Sequence, residues 1–148
     1  MKTQISFSKK IVGAFANLLL FGFLTGALPL QASVTNPLIR DCQISGGEFV
    51  VTQEDMALCK FGQSYLGAQD VVNYKHYQII SDGIKDFLGD VTYCKGEIIQ
   101  TYPLGQTSPS QQLWLCLLDD KSIIDIFALA RGPLSPRSAE LVKFLESK

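Results

Sequence analysis

The chain has 148 residues, with 13 basic and 14 acidic side chains, one histidine and four cysteines, for a net charge of −1. That length suits one domain of ordinary size or two very small ones. The near-neutral balance argues against nucleic acid, which wants a basic face, and against simple electrostatic attraction to anionic lipid.

Residues 1–32 read apart from the rest. Lys2, Lys9 and Lys10 lead into an uncharged, mostly apolar run from Ile11 to Leu28, and Pro29-Leu30-Gln31-Ala32 comes next. That is the layout of a secretory signal peptide, with cleavage expected after Ala32. The run is about as long as the shortest membrane-spanning helices. Gly13, Asn17, Gly22, Thr25 and Gly26 dilute it, however, and Pro29 ends it. Residues 33–148 are therefore expected in the periplasm or the medium, with no integral membrane segment after cleavage. They carry ten basic and fourteen acidic residues, a mildly acidic surplus. A chain of this size buries roughly two-thirds of its unfolded surface, enough for one modest core.

Asn36-Pro37 opens the exported part, and Gly46-Gly47 marks a turn soon after Cys42. Phe49 to Thr52 is β-branched and aromatic and predicts a strand. Glu54-Asp55 suits a hairpin end. Met56 to Phe61 reads as the return strand, with Ala57, Cys59 and Phe61 on one face. Gly62 and Gly67 interrupt the chain beyond that strand. Residues 68–80 predict a helix, and Asp82-Gly83 a break. Ile84, Phe87 and Leu88 then form one stripe of a short helix before Gly89. Glu97 to Tyr102 is a strand, residues 103–112 a polar loop, and Leu113 to Leu118 a second strand, apolar on both faces and so central and covered. Asp119 to Ser122 is a turn. Ile123 to Ala130 predicts a buried helix that Gly132-Pro133 stops. A last helix starts at Ser135, which caps it, with Pro136 in first position and Leu141, Phe144 and Leu145 on one face.

All four cysteines, Cys42, Cys59, Cys94 and Cys116, lie beyond the leader. An even count in an exported chain predicts two disulfides. Spacing alone allows three pairings. Chain order favours Cys42–Cys59 and Cys94–Cys116, because each pair brackets an expected hairpin. The gaps between successive cysteines are too wide for zinc, which takes short Cys-x-x-Cys spacings. No metal and no cofactor are expected.

The candidate chemistry is sparse. His76 is the lone histidine, so any Ser-His-Asp or Cys-His hydrolase would have to use it. Its neighbours Tyr74-Lys75 and Tyr77 carry no nucleophile signature, and a surface or packed role outweighs a catalytic one. Asp82, Asp86 and Asp90 read as a solvated acidic face. Trp114 reads as core. The 103–112 loop, with Pro103, Leu104, Gly105 and Gln106 at its start, is the one candidate contact surface, since a loop held between bridged cysteines can present itself to a partner or a peptidase cleft.

The two cysteine pairs share an outline. Each first cysteine is followed by Gly-Glu and a β-branched or aromatic pair (Gly47-Glu48-Phe49-Val50; Gly96-Glu97-Ile98-Ile99), and a leucine precedes each second cysteine. Residues 33–90 and 91–148 thus read as two divergent strand-strand-helix units. Together they predict an α+β fold, a small four-stranded antiparallel sheet with helices on one face.

The same residues resemble a family of small exported bacterial cysteine-containing domains, often labelled putative haemolysin. Asn36-Pro37, Cys42 and Gly46-Gly47 match its opening motif. Cys116, Asp120, Ser122, Asp125, Phe127, Ala128, Arg131 and Gly132 match its closing motif, an Asp-Gly-Ser-like turn followed by an acidic residue, an aromatic and Arg-Gly. Phe127 stands where the family usually has Trp. The first unit lacks the closing part and the second lacks the opening. The resemblance implies export and fold but no activity, since the label is a name and not a mechanism. The combined reading is a non-enzymatic binding or structural module of the bacterial envelope. It leaves room for a protein partner that the residues do not identify. Its alternatives are a peptidase inhibitor acting through 103–112 and a hydrolase using His76.

Overall fold

The computed structural model describes residues 36–147. The expected leader, its cleavage point and Lys148 lie outside them. The described chain opens on a helix, α1 (Pro37–Ile44), that the sequence pattern does not predict. Its signals are local: Asn36 Oδ1 accepts the Leu38 N–H at 3.0 Å, and Pro37 occupies the first turn, where its missing N–H costs nothing.

Three strands come next, β1 (Glu48–Val51), β2 (Ala57–Phe61) and β3 (Ser64–Gly67), and then two helices, α2 (Ala68–Tyr77) and α3 (Asp82–Leu88). Asp82-Gly83 therefore forms the first turn of α3 and not a break. The second half repeats the order, with β4 (Glu97–Thr101), β5 (Leu113–Leu117), β6 (Ile123–Asp125) and α4 (Ile126–Arg131), and α5 (Ala139–Glu146) closes the chain.

The expected helix at Ile123–Ala130 is thus split. Ile123 and Ile124 suit a strand, and Asp125 fixes the boundary, because its Oδ1 accepts the Phe127 N–H at 2.8 Å and so caps α4. Each half is strand-strand-strand-helix, not strand-strand-helix. The third strand in each is only three or four residues long and meets its helix without a loop.

The sheet has six antiparallel strands, not four, in the order β1-β2-β3-β6-β5-β4. This order reads alike from both edges, and the halves meet at its centre through one rung, Leu66 opposite Ile124. β5 lies second from an edge, so the expected central position is corrected; its Leu113, Leu115 and Cys116 are nonetheless buried. The two edges also touch. Thr52 bridges Pro103, the Gln53 N–H donates to Tyr102 O at 3.0 Å, and the Leu104 N–H donates to Val51 O at 2.8 Å. The sheet therefore curls until its margins are pinned at one end.

The helices cover the outer face. Cys59, Phe61, Leu66, Cys116 and Ile124 from the sheet share one core with Val71, Ile84, Phe87, Leu129, Leu141 and Phe144 from the helices. Phe61 and Phe144 stack with ring centroids 4.7 Å apart. The inner face holds a smaller cluster of Leu58, Leu113 and Leu115, with Val50, Ile99 and Ile123 against it. Both expected disulfides are present, Cys42–Cys59 and Cys94–Cys116. The first spans the β1–β2 hairpin and ties α1 to β2, since Cys42 is helical.

The shared Gly-Glu signature acquires a packing reason. A Cβ on Gly47 would strike the Cys59 Sγ of the disulfide, and one on Gly96 would strike the Leu117 carbonyl of β5. In both halves only glycine lets the entering chain pass that close. The turn before β6 shows the reverse. Lys121 has φ +69°, a left-handed conformation that glycine accepts at no cost. Lys121→Gly is expected to raise stability by about 0.5–1 kcal/mol, read from the urea unfolding midpoint. A lowered midpoint would show that the lysine side chain holds the turn.

Candidate functional site

A groove of about 530 Å³ lies on the helical side. Three helices end at it: Ser45 closes α1, Gln78 closes α2 and Ser147 closes α5, and all three residues line the groove. The walls are Ile44, Ile80, Tyr74 and Phe144. Ile44 and Ile80 are largely exposed, so the lining is apolar and open to solvent while the rim is polar. Helix C-termini carry carbonyls without intrahelical donors and a partial negative charge. Lys75 supplies the one cationic lining group. A second hollow of about 250 Å³ continues past Phe144 and Ser147 towards Phe61 and Glu140. The chain folds this way because Gln78 takes a left-handed conformation, φ 54°, which stops α2 and turns the Ile79-Ile80 segment away.

Two polar rungs join α1 to α2 beside the groove. His76 Nε2 lies 2.9 Å from Asp41 Oδ2, and Lys75 Nζ donates to Ser45 Oγ at 3.4 Å. Asp41 is buried and His76 is 41% exposed. Asp and His are two of the three members of a catalytic triad, but among the described residues no Ser, Thr or Cys side chain hydrogen-bonds His76. Ser45 and Lys75 resemble a Ser–Lys pair, which works only where burial keeps the amine neutral. Lys75 is exposed. Geometrically, both pairs are helix–helix clamps.

The other sequence candidates disperse. Pro103 and Leu104 form the seam with β1, and Gln106 accepts a hydrogen bond from the Gln53 side chain through its backbone oxygen at 2.8 Å. The start of the 103–112 segment is therefore strapped to the sheet edge. Gly105 has φ +80° and makes the bend, and the Leu104 side chain is 67% exposed. Asp82 pairs with Lys85 and Asp86 with Lys95 on the surface. Among the described residues no group of three His, Cys, Asp or Glu side chains is placed to hold a metal ion.

Asp120, Ser122, Asp125 and Phe127 serve structure. Asp125 caps α4 with one oxygen and accepts from Arg137 Nη2 at 3.2 Å with the other. The Arg137 guanidinium lies 5.2 Å from the Phe127 ring centre. Trp114, half-buried and not core, borders with Tyr65 a hollow of about 30 Å³ beside this pair, room for about one water. Asp120 accepts from the Ser122 N–H at 2.9 Å and from the Asp82 N–H at 2.7 Å, and so joins the β5–β6 turn to α3.

No family model, curated protein or solved structure matches the chain. Among the described residues no helix is long and apolar enough to cross a membrane. Sequence reasoning missed the groove because its rim comes from three helix ends far apart in the chain. Only Ile79-Ile80, an apolar pair at an expected helix terminus, hinted at it.

Proposed function

We propose that the chain is an exported, non-enzymatic binding module of the bacterial envelope, and that it holds the apolar part of a small amphipathic ligand in the groove between the helix ends. The observation that carries this reading is the groove itself. Its volume falls in the usual range for small-molecule sites, its lining mixes apolar walls with a few polar groups at the rim, and that is the usual composition of a ligand pocket. The resemblance to the exported cysteine-domain family supports the location, and the two bridges suit an oxidising compartment. The mirrored strand order likewise supports two divergent copies of one unit.

The test uses the oxidised exported chain and the amphipathic fluorophore anilinonaphthalene sulfonate. Saturable binding is expected, and Ile44→Glu should weaken it about tenfold, the loss of one apolar contact, with the thermal midpoint unchanged. Equal binding by both proteins would remove the groove as the site.

A second reading keeps the peptidase-inhibitor idea. Leu104 is exposed on a backbone strapped to β1, and such preorganisation favours capture in a protease cleft. A panel of peptidases with no inhibition would end it.

A further inference from the structure

One side of the groove holds hydrogen-bond donors and no acid. Lys75 lines it from the last turn of α2. Among the described residues Lys60, Lys85, Lys95 and Lys143 each pair with a carboxylate. Lys75 instead meets the neutral Ser45 hydroxyl, at 3.4 Å. Lys121 also lacks a carboxylate, but it lines neither the groove nor the hollow beyond Phe144. Ser45 accepts from the ammonium, which leaves its own O–H to donate to a further acceptor. The Gln78 amide lines the same groove, and none of the lining residues is acidic. Asp41, one turn back along α1, is engaged by His76.

The apolar part runs on from there. Ile44, Ser45, Phe144 and Ser147 line both the groove and the hollow of about 250 Å³ beyond it, so the two form one trough. It passes Ile44 and the Phe144 ring and reaches Phe61. The acid at that far end, Glu140, is paired with Lys143 at 3.8 Å.

Given the groove as the binding site, the reading on which this depends, we propose that its ligand is a single-chain carboxylate. The acid group takes the Lys75 ammonium and the Ser45 hydroxyl, and the chain lies along Ile44 and Phe144 towards Phe61. One ammonium matches one negative charge. A neutral head would strip water from that ammonium and return no charge to it, and a cationic head would be repelled. The three helix ends oppose an anion with about half a charge each. They spread it over a turn, and Lys75 and Lys143, in the last turns of α2 and α5, offset it. Contact with a full positive charge therefore outweighs them.

The test uses N-phenylnaphthylamine, an uncharged relative of the fluorophore above, which reports the apolar groove without its cationic rim. Decanoate and decanol are titrated against it in the wild-type, Lys75→Met and Lys75→Arg chains. Lys75→Met should lower decanoate affinity relative to decanol about tenfold, the loss of one hydrogen bond to a charged group. Lys75→Arg should keep the wild-type ratio. A ratio that Lys75→Met leaves unchanged, or no displacement by decanoate, would overturn the carboxylate seat and leave the groove standing. A wild-type chain that fails to bind the fluorophore would remove the groove itself and the carboxylate seat with it.

Discussion

Phe144→Ala is expected to be the most damaging single side-chain truncation, at about 3–5 kcal/mol of unfolding free energy. Phe144 is nearly buried, stacks on Phe61 of β2, and receives the edge of Tyr74 at 5.5 Å between centroids. Tyr74 in turn donates its hydroxyl to Leu145 O at 2.5 Å. Removing the ring opens a cavity between α5, α2 and the sheet that none of these groups can refill, because the strands and the α1–α2 clamps fix their positions. The same ring is a wall of the groove, so fluorophore binding should weaken with stability. Chemical denaturation measures the first effect and titration the second. A loss below about 1 kcal/mol would mean that α5 packs far more loosely than the stacked rings imply.

Replacing Cys42 and Cys59 together by alanine is the second large effect, about 3–5 kcal/mol. The bridge closes a span of 17 residues, and both cysteines are fully buried. The substitution therefore adds lost packing to the freed chain entropy of the unfolded state. The Cys94/Cys116 pair should matter less, since Cys94 is only partly buried and lies in a surface loop. Urea unfolding of the two double variants under oxidising conditions gives the order. A larger cost at Cys94/Cys116 would mean that α1 is not an integral part of the core.

The fold was legible where residues announce their state over several positions. Phe49-Val50-Val51, Ile98-Ile99 and Leu113 to Leu117 read as strands because β-branched and apolar side chains stand side by side in each. α5 was legible from its Leu141-Phe144-Leu145 stripe, but its start was not: Ser135 and Pro136 cap and open the 3-10 turn Pro136–Ser138, and α5 itself begins at Ala139. β3 and β6 were not. Each is too short for an alternation to show, and each exists because it finds a partner across the centre of the sheet, a contact 58 residues apart in the chain for Leu66 and Ile124. α1 was not legible either, because eight residues of mixed polarity show no stripe, although its cap and proline were in view. The disulfides were legible from order alone. The Asp41–His76 clamp, the hydrogen bond from Ile123 to Asp70 and the groove were not, because each depends on which helix ends and turns the tertiary fold brings side by side.

The mirrored sheet has a consequence for how the chain is held together. Each disulfide closes within its own half, and the halves are covalently joined only through the exposed stretch at Gly89-Asp90 and the few residues before Cys94. What else unites them is non-covalent and includes one ladder rung, the pinned margins, the hydrogen bonds from Asp82 to Asp120 and from Ile123 to Asp70, and α5 laid back across β2 and β3. A break in that stretch would leave two fragments, each sealed by its own bridge, with complementary surfaces already shaped for each other. Both halves contribute side chains to the same core, so what a cut would release is held by that shared packing and not by the chain alone.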